Sequence, residues 1–406
     1  MGGNSEEPTP KNIYTEVYLV ASVREAVIVD AVRTAIGRAG ERGVFRDVRS
    51  EDLGAAVVKA LLERTGVKPE VIDDVIFGCA NQAEEQNLNV ARRIVLLAGL
   101  PYEVPGVSVN RLCSSSLQAI DYAAMQIMTG FGDIIIAGGV EHMTHLPMTR
   151  DIDIHPKHFE MLDSASFMMG QTAEKLVERF GVTRQEMDAY SLESHRRAVA
   201  AMREGKFKDE IVPTPGHNEQ GGPITVDTDQ HPRPDTSLEK LAALEPAFRM
   251  RGTITAGNSS GVNDGAAAVL VMSKEKAKEL GLKPMATVRS MASVGVDPAI
   301  MGVGPIYATK KALAYLNMQP SDVELAEVNE AFAVVALLAI REIPLDHART
   351  NVNGGAVALG HPLGCSGARI TTTLLHEMRR RKVRWGLATM CVGFGQGTTT
   401  IFERET

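Results

Sequence analysis

The sequence predicts an α/β fold made of two similar halves, and three observations predict it. Apolar, β-branched runs alternate with stretches of helical periodicity, the pattern of strands and helices layered around a buried sheet. The same texture returns at one long spacing, 252 residues: Lys59-Ala60-Leu61 recurs as Lys311-Ala312-Leu313, Cys113-Ser114 as Cys365-Ser366, and the run from Asp133 to Gly139 falls on Trp385 to Cys391. Between the copies the texture changes to helical stretches and a polar run rich in glycine and proline, from Pro213 to Thr236.

In the first copy, strands are expected at Glu25–Val32, Asp74–Gly78, Gly106–Val109 and Asp133–Ala137, with helices near Ser50–Thr65 and Ser115–Thr129. The second copy should repeat them as strands at Ala286–Ala292, Leu325–Val328, Gly386–Met390 and Thr398–Phe402, with helices near Ile306–Asn317 and Ala368–Arg381. Helices at Ala173–Phe180 and Arg184–Glu204 belong to the interposed segment, which reads as a cap or binding region on a rigid scaffold. The chain divides accordingly into an extension over 1–24, a first half over 25–143 and 255–284, an insertion over 144–254, and a second half over 285–406.

Composition excludes several classes of function. With 44% hydrophobic and 23% charged residues, the 406-residue chain has the make-up of an ordinary globular protein. A net charge of −7 argues against nucleic-acid binding, and the longest basic run, Arg379 to Lys382, closes a helical pattern where it complements the dipole. No apolar stretch approaches the roughly 20 residues that cross a bilayer. Four cysteines, Cys79, Cys113, Cys365 and Cys391, are too few for a disulfide framework and suggest reduced thiols. Before Arg24 the chain has one lysine and three glutamates, unlike a transit peptide or secretory signal, so a cytoplasmic setting is expected.

Three segments place a reactive side chain among glycines or serines. Cys113 follows a strand and precedes a helix, so the helix start should favour its thiolate and lower the thiol pKa. His361 lies in a glycine-dense stretch, and an imidazole is the natural proton acceptor near neutral pH. Cys391 ends a strand and is followed by Gly393, Gly395 and Gly397, whose N–H groups are candidates for an oxyanion hole. Together the three suggest acyl transfer through a thioester. His361 and Cys365 also have a spacing that zinc could use, but there is no paired Cys-x-x-Cys and Pro362 disfavours a regular helix there. Asn329 and Glu330 follow a strand at its carboxyl end, where α/β sheets bind ligands; Asn329 would also suit a helix N-cap.

With these residues in place the chain resembles the thiolases, from about residue 26 to its end. The resemblance rests on five motifs in order: Asn110-Arg-Leu-Cys-Ser-Ser-Ser-Leu-Gln-Ala, Ala137-Gly-Gly-Val-Glu-His-Met, Asn329-Glu-Ala-Phe-Ala, Gly360-His-Pro-Leu-Gly-Cys-Ser-Gly-Ala-Arg, and Cys391-Val-Gly-Phe-Gly-Gln-Gly. Within the family it is most similar to the degradative 3-ketoacyl-CoA thiolases, including the β-subunit of the bacterial fatty-acid oxidation complex. The resemblance implies a five-layer αβαβα fold from two duplicated βαβαβαββ halves with an inserted loop domain. It also implies CoA-dependent cleavage of 3-ketoacyl-CoA, the last step of fatty-acid β-oxidation, by ping-pong chemistry through an acyl thioester on Cys113.

By the family's roles, His361 activates Cys113, Asn329 positions a water in an oxyanion hole, and Cys391 is acid and base. The N–H groups of Cys113 and Gly393 form a second hole. For CoA, which acts as substrate with no permanently bound cofactor and no metal, the resemblance points to Arg233, Phe248, Ala256, Ser260, Met169 and Phe332. Met168 and Met169 stand where short-chain relatives have His-Met, which suggests an acyl channel, although core packing explains two methionines nearly as well. A homodimer or homotetramer, with a hydratase/dehydrogenase partner subunit, is the assembly implied. The biosynthetic direction would use the same residues. A ketoacyl synthase would need a second histidine where this chain has Cys391, and intact Cys113, His361 and Cys391 argue against an inactive acyl-CoA or lipid carrier.

Overall fold

The long strands β1, β5 and β8 of the first half are buried along their whole length because they are covered on both faces, and that burial fixes the layering. The computed structural model describes residues 23–405, so the expected extension lies outside the described residues up to position 22. In chain order the first half comprises β1 (Ala26–Arg33), β2 (Gly37–Arg38), α1 (Ser50–Thr65), β3 (Asp74–Gly78), α2 (Val90–Leu97), β4 (Val107–Val109), α3 (Ser115–Met128) and β5 (Ile134–His142). The interposed segment supplies α4 (Lys157–Met161), α5 (Met169–Phe180), α6 (Arg184–Arg203), a hairpin of β6 (Thr214–His217) and β7 (Pro223–Val226), and α7 (Leu238–Ala242). Then β8 (Asn263–Ser273) returns to the first sheet, followed by α8 (Lys274–Glu279). The second half comprises β9 (Ala286–Gly295), α9 (Gly304–Tyr315), β10 (Leu325–Val328), α10 (Ala333–Glu342), α11 (Ala356–Leu359), α12 (Ser366–Arg381), β11 (Trp385–Val392) and β12 (Gln396–Arg404).

The large sheet runs β10-β11-β12-β9-β1-β8-β5-β3-β4, with β2 paired to β8. Numbered within its own half, the first set reads third-second-fourth-fifth-first, and the second repeats that order without a counterpart of β4. The two sets meet only at β1 and β9, through Val27 opposite Thr287 and Ile28 opposite Ala286. Three apolar cores separate five layers. One lies between α1, α2 and the first set of strands, one surrounds α3 and α12 between the two sets, and one joins the second set to α5, α9 and α10.

The duplication becomes physical where α3 meets α12. Ser116 Oγ accepts the N–H of Ala368 at 2.8 Å, and these positions are 252 residues apart, so each half touches its own equivalent across a local two-fold. The approach is close enough that a Cβ on Gly367 would lie 2.3 Å from the backbone nitrogen of Leu117. The interposed segment is anchored by buried charge: Arg33 on β1 donates to Glu210 at 2.7 Å and to Asp229 at 2.7 and 2.9 Å. Removing one partner of such a set would leave an uncompensated charge in the interior.

Most expected elements are present, several with the same bounds, such as α1, β3 and β10. The expected set lacks β2, β6, β7, β8, α2, α4, α7, α8, α10 and α11, of which β8 is the longest strand. All eleven residues of β8 are buried, so it shows no alternation, and its three consecutive alanines carry little strand preference. The basic run ends α12 as expected, where Arg380 and Arg381 donate to Glu377.

Candidate active site

The chain turns from β4 into α3 through a strained elbow, and Cys113 stands on it. Leu112 takes a left-handed conformation with φ 47°, which a branched side chain disfavours. Local side chains hold it there. Asn110 Oδ1 accepts the Leu112 N–H at 2.8 Å, while Ser115 Oγ donates to the Leu112 carbonyl at 2.6 Å and accepts from the Arg111 N–H at 3.0 Å.

The expected lowering of the Cys113 pKa is overturned. Desolvation pushes this part-buried thiol up to about 11, against the opposing pull of the Gly393 N–H and its own N–H. The helix start does not offset that burial, because the N–H groups of Ser114 and Ser115 are spent on the carbonyls of Arg111 and Leu112, both at 3.0 Å. Cys113 is therefore a neutral thiol at rest, and its activation needs a base.

His361 has the protonation state such a base requires. Gly360, at φ 105°, presses so closely on Asn263 that a Cβ would lie 2.4 Å from its amide carbon, and Asn263 Oδ1 accepts the His361 N–H at 3.0 Å. On the ring, Nδ1 lies 2.6 Å from Ser366 Oγ, and that hydroxyl spends its own proton on the Pro362 carbonyl at 2.7 Å. Ser366 must then accept, so Nδ1 carries the proton and Nε2 presents a lone pair, an assignment made from the hydrogen-bond network. Burial, reinforced by Arg369, drives the imidazolium pKa down to about 3, so the ring is neutral throughout the physiological range.

Asn329 faces that lone pair, its Nδ2 lying 3.4 Å from His361 Nε2. It is not a helix cap, because α10 begins after Phe332. Its backbone N–H donates to Thr389 at 2.9 Å, which ties it to β11 two residues ahead of Cys391. Its Oδ1 is buried and has no protein partner. The next residue, Glu330, is a fixed point: its carboxylate accepts from Tyr190 Oη at 2.8 Å, Ser194 Oγ at 2.8 Å, Asn351 Nδ2 at 2.7 Å and the Val357 N–H at 3.0 Å.

Cys391 is buried, and desolvation together with the neighbouring Cys113 sulfur pushes its thiol far above the ordinary range. Met169 is at the same place, since a Cβ on Gly393 would lie 3.0 Å from Leu112 and 3.5 Å from the Met169 sulfur. Cys113, Cys391, Gly393 and Met169 thus form one group and His361 with Asn329 another, joined through β10 and β11.

The residues expected to meet CoA divide into two sets. Phe248 packs on Gly170 and meets Phe332 edge-on at 5.9 Å, while Ser260 donates its N–H to Ala331 at 3.0 Å, which aligns that loop with the start of α10. Ala256 is exposed on the same loop. Arg233 sits elsewhere, exposed beside His195, whose Nδ1 accepts its N–H at 3.2 Å, and within electrostatic reach of Arg38 and His231. The zinc spacing of His361 and Cys365 is not realised: Cys365 is buried in the central core with its thiol pushed up to about 12, and both ring nitrogens of His361 have other neighbours.

Sequence reading missed Ser366, Asn263 and Glu141. Glu141 accepts from the N–H groups of Ala80, Asn81 and Gly364 and from Gln86, at 2.7–3.1 Å, tying the His361 loop to the first half. A carboxylate directly after Gly-Gly-Val in a buried strand was the available signal, because a charge there must be paired.

A cysteine on a strained elbow, a neutral histidine and a second thiol, carried on duplicated α/β halves, suit an acyltransferase. Residues 26–275 match the family model described as thiolase, N-terminal domain, and residues 282–404 match thiolase, C-terminal domain. The chain belongs to the thiolase family. It is 51% identical over 387 residues to the 3-ketoacyl-CoA thiolase of Idiomarina loihiensis, covering 94% of this chain and 100% of that one, with the same figures for the Escherichia fergusonii protein of that name. The crystal structure of the Bacillus anthracis acetyl-CoA acetyltransferase is 42% identical with a TM-score of 0.87, covering 95% of this chain and 100% of its own. Human mitochondrial 3-ketoacyl-CoA thiolase superimposes with a TM-score of 0.87 at 38% identity, with the same coverage.

Proposed function

We propose that the protein cleaves 3-ketoacyl-CoA with CoA, giving acetyl-CoA and an acyl-CoA two carbons shorter. The observation that carries this reading is the Cys113 sulfur, with the Gly393 N–H directed at it and the Cys391 thiol beside it. His361 Nε2 takes the Cys113 proton, and the sulfur attacks the 3-keto carbon. The resulting oxyanion is held by the His361 and Asn329 side, where Asn329 Oδ1 is free to hold a water. The bond between C2 and C3 breaks, Cys391 protonates the departing acetyl-CoA carbanion, and an acyl thioester remains on Cys113. Cys391 then takes the thiol proton of an incoming CoA, whose sulfur displaces the acyl group. During both thioester steps the N–H groups of Cys113 and Gly393 hold the acyl oxygen; one such donor is worth roughly 10²–10³-fold in rate.

CoA enters and leaves as a substrate. Its pantetheine arm would run along Ser260, Ala256, Phe248 and Phe332, and its nucleotide end would meet Arg233. The acyl chain would follow an apolar wall that starts at Met169: Phe394 meets Phe167 edge-on at 6.0 Å, and Phe167 stacks on Phe159 at 4.6 Å. This wall favours the degradative reading over a strictly four-carbon acetyl transfer. The boundaries 25–143 with 255–284, 144–254 and 285–406 serve as two catalytic halves and a CoA-binding insertion. Four free cysteines among the described residues suit a reducing cytoplasm, and no described helix is long and apolar enough to cross a membrane. A homodimer or homotetramer, with or without a hydratase/dehydrogenase subunit, completes the proposal.

The test is thiolysis measured against acyl chain length in the unmodified protein and in Cys113→Ala. Activity extending to long chains, a mass increase equal to the acyl group when CoA is withheld, and loss of both in the variant are expected. A variant with full activity would sink the mechanism, and a strictly four-carbon profile would replace it with the acetoacetyl-CoA reaction.

A further inference from the structure

Two buried charges that the proposed chemistry does not use lie between the elements that carry it. Arg369 on α12 is fully buried, Glu327 on β10 nearly so, and they approach with Nη1 3.7 Å from Oε2. Among the described residues, Nε, Nη1 and Nη2 of the arginine and Oε2 of the glutamate all lack a hydrogen-bond partner. So loosely paired a buried guanidinium contributes little to stability, because desolvating it costs about as much as the pairing returns. Its position supplies another reason for it.

Arg369 lies three residues after Ser366, which holds His361 Nδ1, and Glu327 lies two residues before Asn329, whose amide meets His361 Nε2. The ion pair therefore closes a ring from His361 through Ser366 and α12 to Arg369, across to Glu327, and along β10 to Asn329 and back to His361. Helix and strand reach the site from different directions, and this contact spans the gap between them. The surrounding charges leave Arg369 the nearest cation. Glu327 also faces Glu330 at the end of β10, Glu210 from the interposed segment and Glu377 on α12; Arg369 also faces Arg33 on β1, Glu330 and Cys365. Burial raises the Glu327 pKa, and Arg369, the nearest opposing charge, pulls it back down.

We infer that Arg369 and Glu327 are positioning residues, whose buried ion pair sets the spacing at which His361 and Asn329 share one oxyanion site. The inference rests on the proposed roles of those two residues. Arg369 also disfavours the imidazolium form of His361, so its charge and its geometry act in the same direction.

The experiment compares wild type, R369M/E327M, R369K and E327Q by thermal melting and by the pH dependence of thiolysis. Removing both charges leaves no lone buried ion, so the double variant is expected to melt cooperatively. Its kcat should fall roughly 10- to 100-fold with KM for CoA within about twofold, the loss typical of a small misplacement at a reacting centre. Its kcat/KM should acquire an acid limb at a higher pH than any in wild type, because burial still opposes the imidazolium but Arg369 no longer does, and R369K should recover a third or more of kcat. E327Q keeps the side-chain volume and is expected to lose kcat without the new acid limb. A folded double variant with wild-type kcat and no new limb would overturn the inference, as would wild-type kcat in E327Q. Absence of thiolysis in the unmodified protein would instead overturn the functional reading on which it rests.

Discussion

The fold keeps His361 neutral, and for the base proposed above that has a consequence for pH. With the imidazolium pKa pushed down to about 3 by burial and by Arg369, the base is already deprotonated across the range in which free histidine titrates. Thiolysis by wild type should show no inflection near 6.5, and a rate profile with a clear step there would contradict the assignment. The opposite case is His145. Its Nε2 lies 2.6 Å from the Arg46 carbonyl and its Nδ1 lies 3.1 Å from Glu85 Oε2, so both nitrogens are satisfied only in the imidazolium form. Desolvation opposes the charge, but the Arg46 carbonyl and Glu85 outweigh it and raise the pKa above 6.5. Glu85 is lowered in turn: desolvation opposes its charge, but the Ser50 N–H and His145 favour it. A raised folded-state pKa gives stability that is complete below the unfolded value and is lost as pH rises through the folded one. The melting temperature should therefore decline from about pH 6.5 upward, and H145Q should flatten that slope. The same slope in the variant would assign the loss to another group.

Among the secondary-structure elements, α3 and α12 form the central pair, since one follows the Cys113 elbow, the other follows the His361 loop, and each is buried against the other. Their approach allows no side chain at position 367, where a Cβ would meet the backbone of Leu117 at 2.3 Å. Gly367→Ala should cost about 3 kcal/mol or more, as overpacking against backbone does. A denaturation midpoint within error of wild type would show that the helices can separate freely. A second expectation belongs to α4 and the loop after it. Phe159, exposed at 59%, closes the aromatic series that reaches Phe394, so F159A should slow long-chain thiolysis while leaving the four-carbon substrate within about twofold. Uniform loss across chain lengths would remove that wall from the acyl path. These elements also show what the sequence reveals and what it does not. The halves and their spacing were legible because periodicity is a local signal, and Cys113, His361 and Cys391 stood out because glycine- and serine-rich motifs are local signals too. Ser366, Asn263 and Glu141 were not, because each acts on a residue brought near only by the folded chain. The thiol pKa of Cys113 was misread for the same reason: the helix-start N–H groups had already been taken by the elbow that presents the sulfur.

At the scale of the whole molecule, the two halves differ at one edge. Among the described residues, the second set of strands has no counterpart of β4, and β4 pairs only with β3, in parallel, leaving its other side open at the end of the sheet. An open edge invites pairing with another strand, and the apolar side chains around it are unusually bare. Leu88 is exposed at 84%, Tyr102 at 83% and Leu97 at 49%, with Val107 on β4 itself and Tyr122 and Met125 on the outer face of α3. Such a face fits a second copy of the same chain, since a two-fold operator would bring β4 against its own equivalent antiparallel and cover the leucines and tyrosines on both sides. The same contact would brace the Asn110 to Cys113 elbow, which follows β4 directly. The protein should therefore run as a dimer or larger in light scattering. Placing a charge in the patch with L97E or V107E should shift it towards monomer and lower kcat through the elbow, with little change in the melting of the monomer's own core. A monodisperse monomer in the unmodified protein, or full activity in a monomeric variant, would show that the elbow needs no partner.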